Sequence, residues 1–459
     1  MRSLCGLALL CSACFTEPAL EPESTTGAGT SGTTGATAAV TGQGSDSSTS
    51  TSTADAGPSS STGSSSSSGA VADTGSESSG STTGGAELWS PEPAWITLFD
   101  SELELNGDRV DEVIVAEDGT LWVAGAFARS PAQMFVAQLD ANGVVLETFE
   151  YESSTITNAR GLAQTSTGML VSGHGNSASG GTDRVLVELD VETGMFGEPY
   201  DFGPPLLGLD IVESVVIGGD DIPFIAGATQ DGFQQRAWLE RLPATGPTWS
   251  VLEGSDPVGS RATDLYRLGS AKDFDLVVTG TLHELDGQDT AWVARYGPNG
   301  TERWSELYPS REGHPTVARG VIEGLSGNLF SVGTVLVPGE GQNAWVQRLS
   351  PASGSTGWFE SFDGNGGDDF ALDVAIGPDG DVFACGSSIT AATSSDLWVV
   401  RLSSEGELRG EFLYDLGEAD EDAIASCVIH QEHLIIAGRG YTLDSVRRDG
   451  FVAALPLGR

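Results

Sequence analysis

A short apolar run ending in a small residue and glycine recurs seven times along the chain, and no other feature restricts the fold as much. The copies are Leu121-Trp-Val-Ala-Gly125, Leu170-Val-Ser-Gly173, Phe224-Ile-Ala-Gly227, Val277-Val-Thr-Gly280, Phe330-Ser-Val-Gly333, Phe383-Ala-Cys-Gly386 and Leu434-Ile-Ile-Ala-Gly438. Successive glycines lie 48, 54, 53, 53, 53 and 52 residues apart. A fixed period near fifty marks stacked supersecondary units, each needing its neighbours to bury its apolar faces.

Each unit reads as four strands. In the first, Val113-Ile-Val-Ala116 and Leu121–Gly125 flank the turn Glu117-Asp-Gly119, where glycine supplies the positive φ of a tight hairpin. Asp379-Gly380 repeats this turn in the sixth unit, and Gly168 and Gly327 serve in the second and fifth. A third strand follows about ten residues after the anchor glycine, as in Trp292-Val-Ala-Arg-Tyr296, Trp345-Val-Gln-Arg-Leu349 and Trp398-Val-Val-Arg-Leu402. Alternation puts its aromatic start and apolar end on one face and the Arg on the other. The outer strand carries Trp249, Trp304 and Trp358.

After Leu455 the last unit has no fourth strand of its own. Pro93-Ala-Trp95-Ile-Thr-Leu-Phe99 matches Gly357-Trp358-Phe-Glu-Ser-Phe362 in aromatic spacing and is expected to fill that place, closing a ring without exposed edges. The expected fold is therefore all-β: a seven-bladed β-propeller of four-stranded blades over residues 91–459. On this reading the repeated Trp residues are core.

The 459-residue length alone would suggest about three domains of roughly 150 residues, which the repeat overrides. The chain carries 21 basic and 65 acidic side chains, a formal charge of −44, and Lys272 is its only Lys. Such an excess repels phosphate backbones and anionic lipid, so nucleic acid is not an expected partner. Of five cysteines, Cys5, Cys11 and Cys14 fall near the N-terminus, and Cys385 and Cys427 occupy strand positions in adjacent units. No Cys-x-x-Cys pair lies in the repeats, and the two late cysteines read as buried free thiols.

Met1-Arg2-Ser3, the apolar run Leu4–Leu10 and Cys11-Ser-Ala-Cys14 have the layout of an export signal over residues 1–13. The run falls short of the roughly 20 apolar residues that span a bilayer. Cys14 after Ser12-Ala13 resembles the lipobox of bacterial lipoproteins, with Cys11 standing where that pattern has Leu. The resemblance implies lipidation of Cys14 and, with no Asp after it, an outer-membrane or cell-surface destination; secretion after ordinary cleavage is the alternative. Residues 14–90 are dominated by Ser, Thr and Gly and lack apolar periodicity, so they are expected to form a disordered tether. About 65 flexible residues span roughly 40–50 Å.

The units resemble bacterial seven-bladed propeller repeats of the form D-x-x-G-x-x-Y/W-V-x-G, found in exported proteins, over nearly all of residues 94–459. That family implies the fold and no particular activity. Leu189-Asp-Val-Glu-Thr-Gly194 and Leu242-Pro-Ala-Thr-Gly246-Pro-Thr-Trp249 are similar to fragments of the quinoprotein repeat, a blade-packing element.

Two constellations could carry chemistry. Arg160 and Arg319 stand at equivalent positions ahead of an innermost strand, with Arg261 and Arg109 nearby in their own units. Together they could hold an anionic group at the channel, or pair with acidic loops. Asp363, Asn365 and Asp368 place oxygen ligands on a Gly-rich inter-blade loop, a candidate calcium site whose carboxylates could equally pair with neighbouring backbone. His430 and His433 flank a turn that reads as solvent-exposed; His174, His283 and His314 are scattered.

The resulting expectation is a monomeric surface-anchored or secreted binding or scaffolding module. Its protein or small-molecule ligand would meet the loops after the anchor glycines and between the blades, such as 127–133, 281–290 and 439–449. No cofactor beyond calcium is implied. The alternative is a propeller enzyme, a quinoprotein-like oxidoreductase or a lyase or hydrolase, working at the channel mouth.

Overall fold

The computed structural model describes residues 89–458, apart from 102–106, 177–180, 201, 203–207, 232–233, 243–248, 254–258, 271, 284–287, 311–312, 365–366, 390–394, 417–421 and 442–447. The expected signal segment, Cys14 and Asn365 lie outside the described residues. Among the described residues the regular structure is strand, apart from one 3-10 turn at Gly219–Asp221, and no helix is long and apolar enough to cross a membrane.

The strands form seven antiparallel four-stranded sheets. Six are simple meanders. The seventh takes its outer strand from the other end of the body: Trp95–Phe99 pairs with Arg448–Pro456, Trp95 opposite Ala454. The innermost strands of the seven blades are Arg109–Val115, Thr157–Gln164, Asp210–Ile217, Ser260–Gly269, Thr316–Glu323, Asp369–Ile376 and Ala423–His430. Each contacts the next around the circle, and the last contacts the first, so the ring is closed. It is the expected seven-bladed β-propeller.

The anchor glycines sit where the second strand of each blade crosses its innermost strand. Gly125 lies opposite Val110, Gly173 opposite Ala159, Gly227 opposite Val212, Gly280 opposite Ala262, Gly333 opposite Ala318, Gly386 opposite Ala371 and Gly438 opposite Ile424. A Cβ at any of the seven would collide with the inner strand's backbone carbonyl, so the requirement is close approach rather than a positive φ. Immediately beyond each crossing the inner strand carries one extra residue, a bulge repeated in all seven blades.

Between blades, apolar side chains of facing sheets interleave, with Trp292, Trp345 and Trp398 buried at the third strands. A second contact recurs at the rim. Trp249 Nε1 donates to Pro298 O at 3.0 Å, Trp304 Nε1 to Pro351 O at 2.9 Å and Trp358 Nε1 to Ser404 O at 3.1 Å, each reaching the turn of the following blade. The ring packs beneath Gly300, Gly354 or Gly406, which hold φ values of 78°, 70° and 88° and leave no space for a Cβ. The third-strand Arg reaches the same turns, Arg295 to Pro351 O and Arg348 to Ser404 O. Trp89, within the span read as tether, docks on the sixth and seventh blades: its amide donates to Arg409 O and its indole to Pro456 O.

Two local expectations change. Gly119, Gly327 and Gly380 have the positive φ expected of them, but Gly168 does not; a Cβ there would strike the Leu189 carbonyl. His430 is buried rather than exposed, with the tight turn carried by Gln431 at φ 55°.

Candidate functional site

The bulge sets what the channel presents. In a regular strand neighbouring side chains point to opposite faces. With one extra residue the alternation slips, and two successive positions turn toward the ring centre. The bulged residues are Asp111, Arg160, Glu213, Thr263, Arg319, Leu372 and Ala425. The residues that follow them are Glu112, Gly161, Ser214, Asp264, Gly320, Asp373 and Ser426. Two charged layers result, one on each set.

The first layer is of mixed charge: Arg160 and Arg319 stand on the bulged positions with Asp111 and Glu213, and Arg109 and Arg261 join them from two residues ahead of the bulge in their own strands. Arg109 Nε lies 2.9 Å from Asp111 Oδ2, and Arg160 of the second blade reaches the same carboxylate at 3.4 Å. Arg160 Nε is also 4.0 Å from Glu213 Oε2, and Arg261 of the fourth blade is ion-paired to Glu213. Burial raises the Glu213 pKa, but Arg261, Arg160 and Arg319 together hold it below the usual carboxylate range, so it is ionised. The three predicted arginines therefore converge on one carboxylate. The acids they meet, Asp111 and Glu213, lie on the inner strands and not on the inter-blade loops.

His174 joins this layer from the second strand of the second blade. It is 6% exposed, and Asn158 Nδ2 lies 3.2 Å from its Nε2. With that amide donating, the ring proton sits on Nδ1, which has no hydrogen-bond partner. Burial first, then Arg160, Arg109 and Arg261, push its pKa well below the ordinary histidine value, so the ring is neutral.

The second layer is acidic and lies one residue further along the strands. Glu112, Asp264 and Asp373 come from the first, fourth and sixth blades, yet their charges act on one another, which places them around a common centre. Their amide partners stitch the seams. Asp264 Oδ2 accepts from Val321 N at 3.1 Å, Asp373 Oδ2 from Cys427 N at 2.7 Å, and Ser426 Oγ accepts from Val113 N and donates to Glu112 Oε1 at 3.1 Å. Burial, then Asp264, pushes the Asp373 carboxyl up to about 7. Burial, then Asp373 and Asp264, holds Glu112 well above the ordinary glutamate value, and burial raises Asp264.

At the candidate calcium loop, Asp368 Oδ1 accepts the Gln342 amide at 2.8 Å and Asp369 Oδ2 accepts Gly364 N at 2.7 Å. The same staple recurs in other seams: Asp422 takes Leu416 N and Tyr441 N at 2.8 and 2.9 Å, and Asp108 takes Ser101 N and Ala128 N at 2.6 and 2.5 Å. These seam carboxylates cap backbone amides. Among the described residues the acidic group compact enough to share an ion is Asp100, Asp108 and Asp449, and it includes neither Asp363 nor Asp368. Cys385 and Cys427 are free and buried, in one apolar cluster at the seam of the sixth and seventh blades, as expected.

Fold and site together define a seven-bladed β-propeller whose inner strands carry a layer of arginine–carboxylate pairs and, one residue further along, a layer of carboxyls. No protein-family model and no curated protein matches the chain. Among solved structures, Drosophila Plexin A in complex with Semaphorin 1b is similar over 81% of this chain and 88% of that one, with a TM-score of 0.46 and 9% identity.

Proposed function

We propose that this chain is a binding module, displayed on the cell surface through lipidated Cys14 or secreted, that takes its ligand at the channel mouth. Arg160, Arg261 and Arg319 would receive an anionic group of that ligand, with the blade-top loops adding selectivity. One observation carries the reading: in a chain of net charge −44, basic side chains from the inner strands of the first, second, fourth and fifth blades and one interior histidine are gathered around Asp111 and Glu213. Evenly spread surface charge would not do this. Paired guanidiniums in a partly enclosed mouth suit a carboxylate or phosphate, because their forked donors match two oxygens at once.

The test is native mass spectrometry of the full chain purified from its source, with Arg160→Gln plus Arg261→Gln as the comparison. The expected result is a small anionic adduct on the natural protein that the double variant lacks. Identical masses on both, with both folded by circular dichroism, would contradict the reading.

A second reading, an enzyme working at the channel, draws on the acidic waist. Burial and neighbouring charge push the Asp373 carboxyl up to about 7 and raise Glu112 well above the ordinary glutamate value, the direction a general acid–base group needs. It predicts a reaction whose rate turns on pH near 7 and is lost in Glu112→Gln, whereas a binding module keeps its ligand in that variant.

A further inference from the structure

We infer that Trp89 is a releasable strap: it supplies, from the N-terminal side, the rim clamp that the sixth blade lacks, and its hold keeps the seam of the sixth and seventh blades shut. The clamp has a fixed place in the fold. In the third, fourth and fifth blades a third-strand arginine stands opposite an outer-strand tryptophan: Arg241 opposite Trp249, Arg295 opposite Trp304 and Arg348 opposite Trp358. In the sixth blade the residue opposite Arg401 is Gly410.

Trp89 takes that place. It forms a parallel bridge with Gly410, and its amide donates to Arg409 O at 3.1 Å. A Cβ on residue 410 would collide with the Trp89 backbone, so only glycine admits the strap there. The indole then repeats the contacts of a clamp. Its Nε1 donates to Pro456 O at 2.9 Å, beside Leu457 O, which accepts from Arg401 Nη1. Gly458 lies against the ring at φ 70°, the value of Gly354 over Trp304. The ring meets Phe383 at 5.4 Å, as Trp358 meets Phe330 at 5.9 Å and Trp249 meets Phe224 at 6.0 Å.

One difference makes this clamp releasable. The other three tryptophans belong to strands paired along their length. Trp89 is joined to its strand, Trp95–Phe99, through Ser90-Pro-Glu-Pro-Ala94, whose two prolines have no N–H to give to either blade. Trp89 can therefore leave while Trp95–Phe99 stays paired. It shares one apolar cluster with Phe412, Leu416, Leu457, Cys385 and Cys427, so its departure loosens the packing that covers both thiols.

Maleimide labelling of the full chain under native conditions, read at Cys385 and Cys427 by peptide mapping, tests this in Trp89→Ala, Trp89→Phe and Trp249→Ala. Trp89→Ala should speed labelling of both thiols about tenfold or more over the natural chain. Trp89→Phe, which keeps a ring on Phe383 and loses the indole bond, should fall in between. Trp249→Ala removes the equivalent clamp at the seam of the third and fourth blades and should leave both thiols at the natural rate. Where Trp89→Ala does not fold, Trp89→Phe against the natural chain decides. Unchanged labelling in the Trp89 variants would overturn the inference. Equal acceleration by Trp249→Ala would overturn it too, since the opening would then be global rather than local.

Discussion

Arg261 and Glu213 form an ion pair across the seam between the fourth and third blades, and Glu213 is shared with Arg160 of the second at 4.0 Å. Residues 48 apart in sequence thus become one charged wall of the channel. The bulge beyond each anchor glycine makes this possible, since it turns residue 213 to the centre while residue 212 stays in the apolar seam. Glu213 holds Arg160 and Arg261 in place.

Replacing Glu213 with Gln should therefore have two opposite effects. Removing one partner of a buried pair costs about 3–5 kcal/mol, and the solvent reaching Arg261 should bring the loss below that range. The net positive charge of the layer rises by one at the same time, so phenyl phosphate should bind more tightly and recover part of the lost melting temperature. Thermal melts with and without the anion check this. A loss that no anion recovers would show Glu213 to be structural only.

The acidic waist sets a pH dependence. The Asp373 carboxyl titrates near 7 in the fold, above its ordinary value, so its neutral form is favoured by folding. Stability from that group is complete below the ordinary aspartate range and is lost as pH rises through 7. Asp422, also pushed up to about 7 by burial, works in the same direction. The melting temperature should fall between pH 5 and pH 8. Asp264→Asn removes the charge that, after burial, raises Asp373 and should flatten the fall; an unchanged slope would contradict the grouping of these acids.

The rim clamps should matter to stability. Trp304 is buried, bonded to Pro351 O and packed beneath Gly354. Trp304→Ala should cost about 3–5 kcal/mol, and Trp304→Phe, which keeps most of the packing and loses the hydrogen bond, about 1 kcal/mol. Denaturant unfolding of the two variants measures the difference. Equal losses would show that the indole bond, and not the ring, holds the blades together.

Cys385 and Cys427 should be unreactive in the folded protein. Both are buried, and burial raises both thiols, so little thiolate forms and reagents cannot reach it. Labelling with a maleimide followed by peptide mapping should leave both unmodified until denaturant is added. Rapid labelling of either would mean that the seam of the sixth and seventh blades opens.

The sequence made the architecture legible because the anchor glycine is demanded in every blade by the same backbone collision. The missing outer strand could be placed because Trp95 and Phe99 reproduce the spacing of Trp358 and Phe362. Arg160, Arg261 and Arg319 were visible as basic residues at inner strands. Asp111, Glu213 and His174 were not picked out, since their contacts cross blades and follow no periodicity within a unit. A signal for the first two was present. Aligned on the glycines, Asp111, Arg160, Glu213 and Arg319 each stand 13 or 14 residues ahead, where the in–out alternation of the inner strand breaks. The seam carboxylates were harder to interpret, because an acid that caps a backbone amide and an acid that binds calcium have the same composition and the same loop.

The most direct measurement is the anomalous difference density of a crystal soaked in selenate, a dianion that marks its own position. Density enclosed by Arg160, Arg261 and Arg319 at the channel mouth is the predicted result. A mouth without density in crystals whose selenate lies only on the outer surface would contradict it, and the basic layer would then be a structural wall of the ring.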